Sequence, residues 1–204
     1  MTLKIGITGP IGCGKSTVLG WLAARGALVI DADQVVRDVT GPGSPIVDEI
    51  VAAFGTGVAA TGGGLDRRAL AAIVFHDSGQ LRRLEAITHP VVRARILAEI
   101  EDAQAAGVPI VVLEAIRLVE AGYPALLDEV WLVTCDPSAQ RERLAARGLG
   151  AADATVRIAA QSSLAERVRP LATRIIDTSG SLADTESAVR AALATARPSG
   201  DPGP

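Results

Sequence analysis

The chain has 204 residues, a net charge of −3, 49% hydrophobic residues and 21% charged ones. That is enough for one α/β core with an inserted region and too short for two large domains. A pI near 5.4 implies no broad basic face, which argues against a nucleic-acid partner. The mean hydropathy of +0.32 invites a membrane reading, but no apolar run approaches the ~20 residues of a spanning helix.

The N-terminus lacks the layout of a signal peptide, because Leu3–Thr8 reads at once as a first strand. A glycine-rich turn follows, then a helix from about Lys15 to Arg25 with Val18, Leu19, Leu22 and Ala23 on one face and Gly26 as its C-cap. Ala27–Ile30 reads as a second strand ending at Asp31. Val108–Leu113 and Val130–Val133 are short, valine-rich runs of the buried-strand type, and Arg174–Asp177 is a brief last strand. Strands alternating with helices predict a parallel sheet covered on both faces.

Two stretches interrupt this pattern. Residues 41–104 carry helical periodicity broken at Pro42, Gly43, Pro45 and Gly62-Gly63-Gly64, and read as a helical insertion. Residues 137–165, rich in arginine and alanine, read as a second insertion. The core is then about 1–40, 105–136 and 166–196, and residues 197–204, mostly Pro, Gly, Ser and Asp, are expected to be a disordered tail. Cys13 and Cys135 are the only cysteines, and they suggest no disulfide framework; a reducing cytoplasm is the natural compartment. His76 and His89 are too few for a zinc site.

The strongest motif is Gly9-Pro10-Ile11-Gly12-Cys13-Gly14-Lys15-Ser16-Thr17, a GxxxxGK(S/T) run between a predicted strand and a predicted helix. Glycines let backbone N–H groups turn inward around an anion, and the helix N-terminus favours negative charge. In such loops the lysine, here Lys15, reaches the β- and γ-phosphates, and the hydroxyl, here Ser16, ligates Mg²⁺. A nucleoside triphosphate with Mg²⁺ is therefore expected. Lys4 and Lys15 are the only lysines, which makes Lys15 stand out. Thr8 ends the strand, where its hydroxyl either faces the phosphates or is an ordinary strand-end group; Cys13 reads as a small filler whose backbone N–H matters.

No guanine-reading NKxD is present, and the chain is short for a motor ATPase, so a small-molecule kinase fits best. Asp31-Ala32-Asp33 ends the second strand, where ligands bind in parallel sheets. On its own such a pair is as often a turn with a helix cap; after a phosphate-binding loop, an acceptor site is the better reading.

From Thr8 through Thr17 and on to Ile30-Asp31-Ala32-Asp33, the chain resembles dephospho-CoA kinases. So do Leu65-Asp66-Arg67-Arg68-Ala69-Leu70 continuing to Phe75, the segment Leu84–Pro90 with its His-Pro pair, Gln140–Leu144 with Arg147, Arg157–Gln161, and Ile175-Ile176-Asp177 with Ser179-Gly180. The resemblance implies a P-loop NTPase three-layer core with a parallel sheet, a helical substrate (CoA) insertion and a helical lid. It implies ATP-dependent phosphorylation of the ribose 3′-hydroxyl of dephospho-CoA, the last step of coenzyme A synthesis, with Mg²⁺, in the cytoplasm, by a monomer or small homo-oligomer. Asp33 matches the residue that orients and deprotonates the acceptor hydroxyl. Arg143 matches the lid arginine, with Arg147 and Arg157 as helpers in holding ATP or the lid. Asp31, Arg67, Phe75 and His89 fall on the acceptor side, although Asp31 reads equally as a cap of the turn, Arg67 also as a surface charge, and His89-Pro90 also as a helix start. Trp21 and Trp131 read as core.

The chain departs from that family after its third core strand, where Leu113–Glu120 lacks the usual proline and carries Arg117, either a contact for an acceptor phosphate or simply an exposed residue. Glu114 keeps a carboxylate at the strand end, where it can hold Mg²⁺ through water. Thr178 stands where asparagine is usual. Shikimate kinase, which pairs a similar loop with a DxD, and a nucleotide-binding regulator without transfer chemistry are the competing readings.

Overall fold

A computed structural model describes residues 1–75 and 77–198, so the expectations for His76 and for the tail beyond Pro198 lie outside the described residues. Five parallel strands form one sheet in the order β2-β3-β1-β4-β5: β1 Leu3–Thr8, β2 Ala27–Asp31, β3 Ile110–Glu114, β4 Glu129–Thr134 and β5 Arg174–Asp177. β1 is central, with Ile5 opposite Val112 on one side and Glu129 on the other. This is the parallel α/β sheet that the alternating pattern predicts. Ile5, Ile7, Val112, Trp131 and Val133 are fully buried, as expected of strands covered on both faces.

By internal packing the chain forms two units, residues 30–102 and the remainder. In the sheet-bearing unit, α1 (Lys15–Ala23) and α9 (Leu182–Thr195) contribute Val18, Leu22 and Val189 to a core shared with Ile5, Ile7, Trp131 and Ile176. Each such buried aliphatic side chain contributes about 1.5–3 kcal/mol by leaving water. Trp131 keeps its polar edge satisfied: Nε1 donates to Glu129 at 2.6 Å, and Arg174 pairs with the same carboxylate at 3.2 Å. Between β4 and β5 run α6 (Pro137–Ala146), α7 (Ala151–Ala160) and the short α8 (Leu164–Val168).

The other unit is built mainly of α2 (Ala32–Val39), α3 (Pro45–Phe54), α4 (Arg67–Val74) and most of α5 (Ser78–Ala105). Ile46, Ile50, Val58 and Leu70 form its core, joined by Phe54, Leu65, Leu84 and Ile87.

Three sequence expectations are corrected. The third core strand begins at Ile110 rather than Val108, because Val108 is used in closing α5: its N–H donates to the Ala103 carbonyl at 2.9 Å. His89-Pro90 does not start a helix; α5 runs through Pro90 for 28 residues. Pro90 removes one helical donor, but the stripe Val92, Ile96, Ile100 and Ala103 continues buried at helical spacing, and that burial outweighs the local cost. Finally, Cys13 and Cys135 are not separate thiols: they form a disulfide, with Cα atoms 5.1 Å apart. A spacing of 122 residues carries no local signal for that pairing. Among the described residues, no helix is long and apolar enough to cross a membrane.

Candidate active site

The loop from Gly9 to Gly14 leaves the carboxyl end of the central strand and opens α1. Gly14, with φ +78°, is the N-cap in the left-handed region that glycine adopts without strain. Gly9 passes so close to β4 that a Cβ there would lie 2.1 Å from the Val133 carbonyl oxygen. Lys15 Nζ donates to the Gly9 carbonyl at 2.8 Å and lies 3.3 Å from that of Pro10, so the ammonium is folded back over the start of the loop.

Two cavities adjoin at the loop and share Gly14 and Arg147. One, of about 120 Å³, is lined by Ile11, Gly12, Gly14, Lys15, Ser16, Glu114 and Arg147. It gathers the loop, an ammonium, a hydroxyl, a carboxylate and a guanidinium, a set suited to an anion and a hard cation together. Arg147 Nη2 lies 3.5 Å from Ser16 Oγ. The second, of about 290 Å³, has a wall of Trp21, Ala146 and Leu182 and a polar side of Thr17, Arg143, Thr178 and Thr185. Trp21, read from sequence as core, is half-buried and faces this cavity.

Several groups that shape the site were not singled out as site residues from sequence. The Ile11 peptide is gripped from both ends: its N–H donates to Gln161 Oε1 and its carbonyl accepts from Gln140 Nε2, each at 2.7 Å. Thr178 is buried, and its hydroxyl lies 3.0 Å from the Cys13 carbonyl and 3.2 Å from that of Thr134. The same hydroxyl accepts from Arg143 Nη1 at 2.8 Å, and Nη2 donates to the Thr178 carbonyl. Asp177 accepts from the Ser179 hydroxyl at 2.6 Å and from the Ser179 N–H at 2.8 Å. These bonds, the hydroxyl foremost, lower its pKa from the ordinary aspartate value, with Arg143 adding to the effect. Ser179 Oγ in turn accepts from the Asp136 N–H, just ahead of α6.

Thr8 and Asp31 take the structural alternatives open to them in the sequence, and the other residues expected on the acceptor side lie as follows. The Thr8 hydroxyl is fully buried and points to the Ile116 carbonyl at 3.4 Å, the ordinary strand-end alternative. In the helical unit, Asp31 caps α2: Oδ1 accepts from Asp33 N–H at 2.8 Å and Gln34 N–H at 3.1 Å. Asp33 lies in the first turn of α2 and is exposed. Arg67 ties α4 to the end of α2 through Thr40 Oγ1 at 2.8 Å and the Arg37 carbonyl at 3.2 Å. Phe75 and His89 are exposed in this unit, and Arg117 is exposed after β3 in the other. No group of three or more His, Cys, Asp or Glu side chains able to hold a metal occurs among the described residues.

A model of the dephospho-CoA kinase family matches residues 3–184. The chain belongs to the dephospho-CoA kinase family. A dephospho-CoA kinase from Symbiobacterium thermophilum is 50% identical over 189 residues, 92% of this chain and 79% of the relative. A crystal structure of the Thermus thermophilus protein TT1252 is 38% identical and covers 95% of this chain and 97% of its own, with a TM-score of 0.79. Shikimate kinase from Acinetobacter baumannii covers 95% of the chain and 92% of its own, at 16% identity and a TM-score of 0.51. That likeness is one of fold alone. As a member of this kinase family the protein is a transferase with ATP as co-substrate, acting at the final step of coenzyme A synthesis.

Proposed function

We propose that the protein transfers the γ-phosphoryl group of Mg-ATP to the ribose 3′-hydroxyl of dephospho-CoA in the cytoplasm, with residues 9–17 holding the triphosphate. The observation that carries this reading is the cavity shared by Lys15, Ser16, Glu114 and Arg147 at the end of the central strand. Family membership supplies the acceptor.

The reaction forms a bond from the 3′-oxygen to the γ-phosphorus, breaks the bond from that phosphorus to the β,γ-bridging oxygen, and releases ADP. Asp33 orients the 3′-hydroxyl and takes its proton. Because the transition state is loose, that carboxylate contributes mainly positioning. Lys15 leaves the Gly9 and Pro10 carbonyls to bind the β- and γ-phosphates, and Arg143 leaves Thr178 for the transferring group. A hydroxyl from Ser16 and a carboxylate from Glu114, both hard oxygen donors, fit Mg²⁺, Glu114 through water. When bound, Mg²⁺ neutralises charge on the phosphate oxygens. Arg147 holds ATP from the C-cap of α6, while Phe75, His89, Arg67 and Arg117 are candidates on the acceptor side.

The test is incubation with Mg-ATP and dephospho-CoA, following ADP release and locating the added phosphate by mass spectrometry. Acceptor-dependent ADP with phosphate at the 3′ position is the expected result. ADP release only with a different hydroxyl compound would redirect the acceptor assignment, and ATP binding without transfer to any acceptor would overturn the reading.

A further inference from the structure

The disulfide has no part in the chemistry proposed above, and its position is specific. Cys13 lies in the phosphate-binding loop; Cys135 is the first residue beyond β4, two before the start of α6. Cys13 is 2% exposed and belongs to the core cluster of Ile7, Val18, Trp131 and Val133, against which Cys135 packs. Neither cysteine lines the cavities at the loop. The bond therefore lies beneath the loop, on its core side, and leaves the phosphate-facing side open.

A scaffold role is poorly motivated. Disulfides of that type serve small domains that cannot build a core, whereas this unit already buries a continuous cluster around a five-stranded sheet. The two sulfurs also differ in access: Cys135 is partly exposed and Cys13 is not. That asymmetry sets an order for thiol–disulfide exchange, with one sulfur meeting a reagent and the other resolving it.

We infer that Cys13 and Cys135 form a reversible thiol–disulfide modification site that staples the phosphate-binding loop to the root of the α6–α7 segment. The oxidant is a small-molecule disulfide, RS–SR. The Cys135 thiolate attacks one sulfur; the RS–SR bond breaks, and the departing thiolate takes up the proton that Cys135 released. The Cys13 thiolate then attacks the Cys135 sulfur of the mixed disulfide and expels the second RS⁻, which takes the Cys13 proton. Two protein thiols are oxidised and one small disulfide is reduced to two thiols. The reverse exchange, with excess thiol, reopens the site. The closed form restrains the loop without blocking it, so the property that follows redox poise is loop rigidity.

The experiment uses the full chain equilibrated in oxidised or reduced glutathione, with no nucleotide or acceptor, and so stands apart from the kinase assignment. Alkylation followed by peptide mass spectrometry should show both thiols lost together under oxidised glutathione, with a linked 13–135 peptide within one chain. Amide exchange across residues 9–17 should slow, and the thermal midpoint should rise by about 5–10 °C, since closing a long loop constrains the unfolded chain. All three should revert on reduction. Cys135→Ser should abolish the redox dependence of the midpoint. Thiols that stay alkylatable under oxidised glutathione, a link formed only between chains, or a midpoint that does not change with redox state would each overturn the inference. So would a shift that persists in Cys135→Ser.

Discussion

Arg143 is docked on Thr178, with one guanidinium nitrogen on the hydroxyl at 2.8 Å and the other on the carbonyl of the same residue. The Thr178 hydroxyl also braces the Cys13 carbonyl within the phosphate-binding loop. One threonine thus holds both the arginine and the loop. Thr178→Val keeps the shape and removes the hydroxyl. A buried carbonyl that loses its partner costs about 1–3 kcal/mol, so the thermal midpoint should fall by about 2–12 °C. The KM for ATP should rise severalfold in steady-state assays.

Arg143 itself should matter more to rate than to affinity. Arginines that neutralise a transferring phosphoryl group are worth ~10³–10⁵ in kcat. Arg143→Ala should lose on that order in turnover, with ATP affinity by calorimetry changing less than about tenfold. Arg143→Lys should recover little, because a point charge does not reproduce the planar two-pronged donor that now engages Thr178.

Lys15 and Asp33 should fail in different ways. Lys15→Ala removes the loop's charge and should abolish turnover and weaken ATP binding. Asp33→Asn retains size and leaves the Asp31 cap of α2 in place, but cannot accept a proton. It should keep ATP binding and lose transfer by ~10²–10⁴. Loss of ATP binding by Asp33→Asn, or near-normal turnover by Lys15→Ala, would show the roles to be misassigned.

Gly9→Ala should be among the most damaging changes in the loop. Its Cβ would meet backbone of β4 rather than a flexible side chain. Displacing β4 or the loop by the required distance costs about 1–3 kcal/mol or more. Differential scanning calorimetry should show a lower midpoint together with lost ATP binding.

Asp177 makes stability pH-dependent at the acid end. Its folded-state pKa is depressed by the Ser179 bonds, so the unfolded chain binds its proton first as pH falls. The contribution is complete above the ordinary aspartate value of about 3.9 and is lost as pH drops toward the lower folded value. Asp177→Asn should lower the midpoint at neutral pH by no more than about 2 °C, because the carboxylate is exposed. The gap between variant and parent should vanish in melts below that window.

The legible parts of this protein were those written in local sequence. The loop is contiguous, its flanking strand and helix have short-range patterns, and the alternation of strands and helices carries the parallel sheet. Asp31 as a cap was also readable, since capping is a three-residue relationship. What escaped was long-range. Gln140 and Gln161 reach Ile11 across 129 and 150 residues, and Thr178 reaches Cys13 across 165. A glutamine on an arginine-rich helix has no pattern that announces a loop peptide as its partner. Trp21 does pack against the core from a half-buried position, but the apolar periodicity that places it there carries no sign that it also walls a cavity. Pro90 failed because a local breaking rule yielded to burial of the helix around it.

The placement of β1 bears on the order in which the protein would come apart. It has hydrogen-bonded neighbours on both sides and three side chains, Ile5, Ile7 and Thr8, with no exposure at all. Amides in such a strand open only with the whole domain, while frayed edges and surface helices open at lower cost. The loop hangs directly from its end. Under mild denaturant, ligand-anchoring capacity should therefore persist until the sheet itself gives way, making retained nucleotide binding a gauge of the last cooperative unit to unfold.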